Sequence, residues 1–342
     1  MKILNGIKIL DLTKLLPGPL ATQQLQKMGA VIYRVEHPDK LDLTQLLPPI
    51  VRGKSAYYQL LNSDKHIIEI AYDTLAGLDK LKTLIKSMDV LVENFRPGVM
   101  DFYGLSTEML KSLNPNLIYV AASSYGRDGA YAQKPGHDLN FIAHAGLLQE
   151  QAEVAGYEIP NIQFADIYGG TEQIINSVLL GLIQRYRKDI GGNFDVSIVE
   201  SCLPLTLLKN INDWHESTSF FTFQLPNYAV YQCKDGGYIA FAGLEMKFWN
   251  KFCQLMEKEK WIGLDIPQLY LNKFIYEELK NTFRTEDLTY WLTLLEEENI
   301  CVSAVLKPED LLKDPYFKSR NSFVLDSETG LPKSWKLGIR TF

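Results

Sequence analysis

Four short apolar runs, three of them entered from a helical pattern, dominate the first 126 residues and restrict the fold more than any other feature. They are GIKILDL (6–12), VIYRVEHP (31–38), DVLVENF (89–95) and LIYVAASSYG (117–126). PGPLATQQLQKMGA (17–30) places Leu20, Leu25 and Met28 at helical spacing and closes on Gly29. Leu78, Leu81, Ile85 and Met88 repeat that spacing ahead of the third run, and STEMLKSLNP (106–115) leads into the fourth. Strands alternating with helices require right-handed crossovers, so this half is expected to be a doubly wound α/β unit with a mostly parallel sheet and helices on both faces.

After Gly126 the rhythm changes. Apolar helices are expected at about 138–148 and 168–187, separated by the loop QEQAEVAGYEIPNIQF, and NFDVSIVESCLPLTLL (193–208) reads as a strand running into a buried helix. Alternation on both sides of Lys234-Asp235-Gly236-Gly237 signals a β-hairpin within 225–243. Helices are expected to about 300, then one strand, a short acidic helix and an extended tail. These shifts divide the chain into a large Rossmann-like domain at 1–210, completed by about 312–342, and a small α+β domain at 222–311.

The chain has 342 residues, of which 46% are hydrophobic and 22% charged, enough to bury a sizeable core. A net charge of -6, with 35 scattered basic residues, argues against a nucleic-acid or membrane surface and favours a small-molecule partner. Cys202, Cys233, Cys253 and Cys301 lie far apart, which disfavours a zinc site or disulfide framework and fits reduced thiols in a cytoplasmic protein. Asn5, Gly6 and Lys8 interrupt the opening apolar stretch before a signal peptide could form, and no uncharged run approaches the roughly 18–20 residues that span a bilayer.

Ligands of open α/β sheets sit beyond the carboxyl ends of the strands. Of the segments there, LLPGP (15–19) lacks the Gly-x-Gly-x-x-Gly fingerprint of dinucleotide sites. ENFRPG (93–98) presents Arg96, whose planar guanidinium suits phosphate; the structural alternative is an ion pair with Glu93. His137 and Asp138 open one apolar helix and Asp166 precedes another. Each could serve only as a cap for free backbone N–H groups. If the helices lie side by side with their starts together, a His and an Asp would instead face a bound carbon acid from opposite sides, as two-base proton transfer requires. Glu245 also begins a helix, where a solvated first-turn acid is the simpler reading. His37, His66, His144 and His215 show no metal-ligand spacing, and no Gly-x-Ser-x-Gly elbow is present.

Taken together, GIKILDLTKLLPGPLATQQLQKMGAVIYRVEHP, DVLVENFRPGVMDFYGLS, NPNLIYVAASSYGRDGAY, PGHDLNFIAHAGLL, ADIYGG, DVSIVES and YQCKDGGYIAFAGLEMKFW resemble, in order and spacing, the family III CoA-transferases of the CaiB/BaiF type. The resemblance runs from about residue 5 to about residue 310. In the transferase branch, the aspartate matching Asp166 attacks an acyl-CoA thioester. In the α-methylacyl-CoA racemase branch, the Gly-His-Asp block supplies one base, the same aspartate the other, and a small-domain glutamate hydrogen-bonds the histidine. His137, Asp166 and Glu245, with Asp138 in support, place this sequence beside the racemases.

The resemblance implies an interlocked homodimer, an acyl-CoA substrate, no metal or redox cofactor, and CoA contacts from Arg96, Pro17 and His37. His37 stands where the family often places arginine, QLPNYAVY lacks the glycines of an Asp-Gly-Gly-x-Pro-x-Tyr segment, IGGNF replaces a basic turn, and the usual C-terminal helical segment is not found after LGIRTF. The expected activity is racemisation of 2-methylacyl-CoA thioesters. CoA transfer through Asp166 is the alternative, and a non-catalytic acyl-CoA-binding homologue a third possibility.

Overall fold

The structure is a computed structural model that describes residues 2–150, 156, 158–217 and 225–340. The chain divides into two compact units, 1–206 with 321–342, and 207–320. In the larger unit six strands form one sheet: β1 (Lys8–Asp11), β2 (Val31–Glu36), β3 (His66–Glu69), β4 (Val90–Glu93), β5 (Ile118–Ser123) and β6 (Gly192–Ser197). Their order is β3-β2-β1-β4-β5-β6, and every neighbouring pair is parallel. This is the Rossmann order, and the sequence of strands reverses between β1 and β4. A ligand crevice is therefore expected where those two strands end.

Alternating side chains bury both faces of the sheet. Ile9, Val90, Val92, Ile118 and Val120 join Ala21 and Leu25 of the helix Pro17–Lys27 and Ile174, Ile175 and Val178 of the helix Gln173–Lys188. Leu10, Leu91 and Tyr119 point the other way, toward Leu81 and Ile85 of the helix Leu75–Ile85 and Leu110 of the helix Thr107–Leu113. Thr74 and Ser106 start those last two helices by accepting N–H groups from Gly77 and Met109.

Two segments depart from expectation. β3 has no counterpart in the sequence reading, because His-Ile-Ile-Glu is a short edge strand that buries none of its side chains fully. Past β6 the chain does not continue as a buried helix. It makes a short helix Ile198–Ser201 and a 3-10 turn Leu203–Thr206, then the helix Leu207–Trp214, which has no buried residue. Pro204 cannot donate to a continuing helix, which breaks the run there. The loop expected at 149–164 lies partly outside the described residues, and the glycine-poor segment QLPNYAVY begins at their edge.

The smaller unit is built on an antiparallel sheet of β7 (Tyr228–Gln232), β8 (Tyr238–Ala242) and β9 (Val302–Ala304), in the order β9-β8-β7. Its hairpin turns at Lys234–Gly237, as the sequence indicated. Gly236 takes a φ of 81° there and Asp235 accepts the Gly237 N–H at 3.0 Å. Tyr231, Phe241, Trp249, Phe252, Phe283 and Trp291 fill the core. The Trp249 and Trp291 indoles donate to the Trp261 and Phe283 carbonyls at 2.9 Å, so neither of these N–H groups is left unpaired. The tail at 323–335 returns to the larger unit as a two-stranded hairpin. All four cysteines are free, and three are buried. No described helix is long and apolar enough to cross a membrane.

Candidate active site

Under the expected crevice, at the end of β1, lies a buried charged framework. Asp11 is fully buried, and its carboxylate accepts from Thr13 N–H and Oγ1, from Thr22 Oγ1 at 2.7 Å and from Lys65 Nζ at 3.0 Å. Arg34 lies 3.6 Å away and also pairs with Asp42 at 2.7 Å and Glu36 at 2.9 Å. Burial alone would raise the carboxyl's pKa, but the lysine and guanidinium charges and the threonine bonds outweigh it and hold Asp11 well below the usual carboxylate range. The same burial pulls Lys65 down to about 8.

Above this framework, the β1 and β4 loops are tied across the reversal point. The Asn94 amide accepts the Lys14 N–H at 2.9 Å and donates to the Lys14 carbonyl at 2.9 Å. Leu15 follows with φ 65°, a conformation that a branched residue holds only when its surroundings fix it. Asp42 accepts its N–H at 3.3 Å. Glu93 does not pair with Arg96. It is 3% exposed, its Oε2 accepts the Phe95 N–H at 2.6 Å, and its Oε1 accepts from the Tyr119 hydroxyl at 2.7 Å. Burial pushes its carboxyl up to about 7 against those two bonds. Arg96 is left exposed, with no side-chain hydrogen bond or ion pair among the described residues.

His137 and Asp166 come from the loop-rich stretch beyond β5. His137 is the N-cap of the helix Asp138–His144, exposed, with its backbone N–H bound by Asn140 Oδ1 at 3.1 Å. Asp166 lies in the first turn of a π-helical segment, Ala165–Glu172, that runs directly into the helix Gln173–Lys188. π-Helical turns are rare and concentrate at functional sites. The two starts meet, because Asp138 Oδ1 accepts the Asp166 N–H at 2.9 Å. Phe141, Ile142, Ala145, Ala165, Ile198, Val199 and Cys202 pack beneath them. The starts of the two segments are therefore in contact.

The electrostatics of the pair follow from this contact. A helix start lowers a carboxyl's pKa, whereas desolvation and a neighbouring carboxylate raise it. For Asp166 burial, followed by the Asp138 charge, pushes the value up to about 7. Burial raises Asp138 too, and its backbone bonds to Asp166 and Ala165 oppose the shift. Gly169 and Gly170 let the π-helical segment pack closely on its other neighbours: a Cβ on Gly169 would sit 2.4 Å from the Ile198 carbonyl oxygen, and one on Gly170 2.6 Å from Pro17 Cβ.

Other residues singled out in the sequence take distinct positions. Pro17 is buried at the first turn of its helix, and its carbonyl accepts from Thr171 Oγ1 at 2.9 Å. His37 is 5% exposed, and both ring nitrogens are engaged. Nδ1 accepts the Asp39 N–H at 3.1 Å, so Nε2 carries the proton and faces Asp73 at 2.7 Å. His144 stacks edge-on against Tyr125 and Tyr131, a packing role. Glu245 is exposed at the N-cap of the helix Met246–Leu255, in the smaller unit. Sequence reasoning missed the Asn94–Lys14 tie, the Glu93–Tyr119 bond and the Asp11–Lys65–Arg34 framework. Asp11 ending an apolar strand was the available signal for the last.

Comparison with known proteins agrees with this architecture. The sequence model described as CoA-transferase family III matches residues 4–334. The chain is 28% identical to succinyl-CoA:glutarate CoA-transferase of Homo sapiens, over 96% of this chain and 77% of that protein. It is 27% identical to alpha-methylacyl-CoA racemase of Homo sapiens, over 95% of this chain and 83% of that protein. The crystal structure of a CAIB/BAIF family protein from Brucella suis superposes with a TM-score of 0.85 at 24% identity, covering 99% of this chain and 93% of that one.

Proposed function

Because the chain belongs to CoA-transferase family III, whose members similar to it are acyl-CoA enzymes, we propose that it is a racemase of 2-methylacyl-CoA thioesters working by two-base proton transfer. The carrying observation is Asp166: half-buried, seated beside the segment that bears His137, with a carboxyl pushed up to about 7. General acid–base catalysis is most effective when a group's pKa lies near the working pH. At neutral pH both forms of Asp166 are populated. His137 takes the proton α to the thioester carbonyl while protonated Asp166 returns one from the opposite face, and the other epimer uses the same pair in reverse.

The backbone of the helix starts contributes N–H groups for the enolate oxygen, where preorganised donors have their largest effect. Arg96, exposed and without a side-chain partner among the described residues, holds a CoA phosphate. His37 has no ring nitrogen to spare for one, so its contribution is to the frame. The reading includes a homodimer in which Glu245 hydrogen-bonds His137. CoA enters as part of the substrate, and the scheme uses no metal or redox group.

A second reading rests on the equal similarity to a CoA-transferase. There Asp166 would attack the thioester, which needs its ionised form, and the burial that raises its pKa works against that at neutral pH. Incubation with a single epimer of a 2-methylacyl-CoA in deuterated water separates the two. Exchange at the α-carbon with epimerisation supports the racemase; transfer of CoA to an added carboxylate without exchange supports the transferase.

A further inference from the structure

The segment Glu93–Gly98 is anchored at almost every residue except the one that faces outward. Glu93 Oε2 accepts the Phe95 N–H, Asn94 pairs both ways with the Lys14 backbone, and Phe95 packs tilted against Tyr72 with ring centroids 6.1 Å apart. The Pro97 carbonyl accepts from Gln133 Nε2 at 3.1 Å, the Arg96 carbonyl accepts the Val99 N–H at 3.1 Å, and Gly98 turns the chain with φ 88°. The Arg96 side chain alone stays exposed and, among the described residues, without a hydrogen bond. A guanidinium on a backbone pinned on both sides loses little freedom when it clamps an anion.

We propose that Glu93 is a positioning residue for coenzyme A: its carboxylate fixes the turn from which Arg96 reaches a CoA phosphate, an inference that rests on the acyl-CoA reading above. A carboxylate is unfavourable at a site this buried unless its bonds do what an apolar side chain cannot. Both oxygens here are used, one on the turn and one on the Tyr119 hydroxyl, which in turn accepts from Arg127 at 2.9 Å. Arg127 is steadied by Asp101 at 3.7 Å, and Asp195 on β6 accepts its backbone N–H at 2.9 Å. Glu93 thus couples the β4 loop to the β5 loop beside it.

The test is a double-mutant cycle on CoA binding, read by calorimetry with free coenzyme A. Glu93→Leu orphans the Phe95 N–H and is expected to weaken binding about tenfold, whereas Glu93→Gln keeps an acceptor for that N–H and restores it. In an Arg96→Ala background, Glu93→Leu is expected to add nothing, because the contact it positions is already gone. Losses that multiply, or Glu93→Leu protein that binds CoA as the wild type does, contradict the proposal. So does an Arg96→Ala variant with undiminished affinity. A wild type that binds no CoA contradicts the acyl-CoA reading instead. Amide exchange over 94–98 then decides alone: faster exchange in Glu93→Leu and protection regained in Glu93→Gln support the positioning role, and unchanged exchange overturns it.

Discussion

The carboxylate of Asp138 accepts the backbone N–H of Asp166 at 2.9 Å, so each aspartate shapes the other's ionisation. Asp138 satisfies a free donor at the start of the π-helical segment while its charge helps push Asp166 up to about 7. Asp138→Asn keeps an acceptor for that N–H and removes the charge. For the epimer that Asp166 deprotonates, the acid limb of the pH–rate profile for α-proton exchange is expected to move to lower pH, on the order of half a unit to one unit. A limb that stays in place shows that burial alone sets the value.

The raised pKa of Asp166 also has a sign for stability. The folded state holds this proton more tightly than the unfolded chain, whose carboxyl titrates near 3.8. The contribution to stability is therefore complete below pH 3.8 and is lost as pH rises toward about 7, beyond which it is flat. Asp166→Asn removes the charge that burial disfavours. Chemical denaturation at pH 8 is expected to find the variant more stable than the wild type by roughly 1–2 kcal/mol, with the gap closing toward pH 5.

Much of this was legible in the sequence, and the exceptions share physical causes. The four apolar runs became β1, β2, β4 and β5 because both faces of a parallel sheet are buried, which leaves a strong apolar signature. β3 is an edge strand with little burial and carries almost no such signature. His137 and Asp166 stood out because each opens an apolar helix. That the two starts meet, through Asp138 and the Asp166 N–H, depends on tertiary packing that spacing along the chain does not encode. Arg96 stood out at its strand end, and the ion pair with Glu93 that was its structural alternative does not form: Glu93 turns inward to Tyr119, a residue 26 positions away.

Gly169 is where packing and chemistry meet. A Cβ there would lie 2.4 Å from a backbone oxygen and 2.8 Å from Cys202 Sγ, and the backbone oxygen cannot swing aside as a side chain can. Gly169→Ala is expected to cost about 1–3 kcal/mol in urea denaturation and to depress turnover more than CoA affinity, since the strain displaces the segment that bears Asp166. Equal loss of both would mean general damage.

Beneath the crevice, Lys65 is the ammonium nearest Asp11 and is fully buried with it. Lys65→Met leaves Arg34 as the sole cation beside that carboxylate, at 3.6 Å. The loss is expected to be roughly 3–5 kcal/mol, the penalty for stranding a buried charge. Urea denaturation measures it, and a change below about 1 kcal/mol would show that Arg34 and the threonines suffice.

The most direct test of the two-base account is His137→Ala, assayed for α-proton exchange in deuterated water and for CoA transfer to a free carboxylate. The account expects exchange from the epimer that His137 deprotonates to fall by at least about a hundredfold, the usual contribution of a positioned base, with no CoA transfer by either protein. Exchange that survives the substitution, or CoA transfer that depends on Asp166 and not on His137, would contradict it.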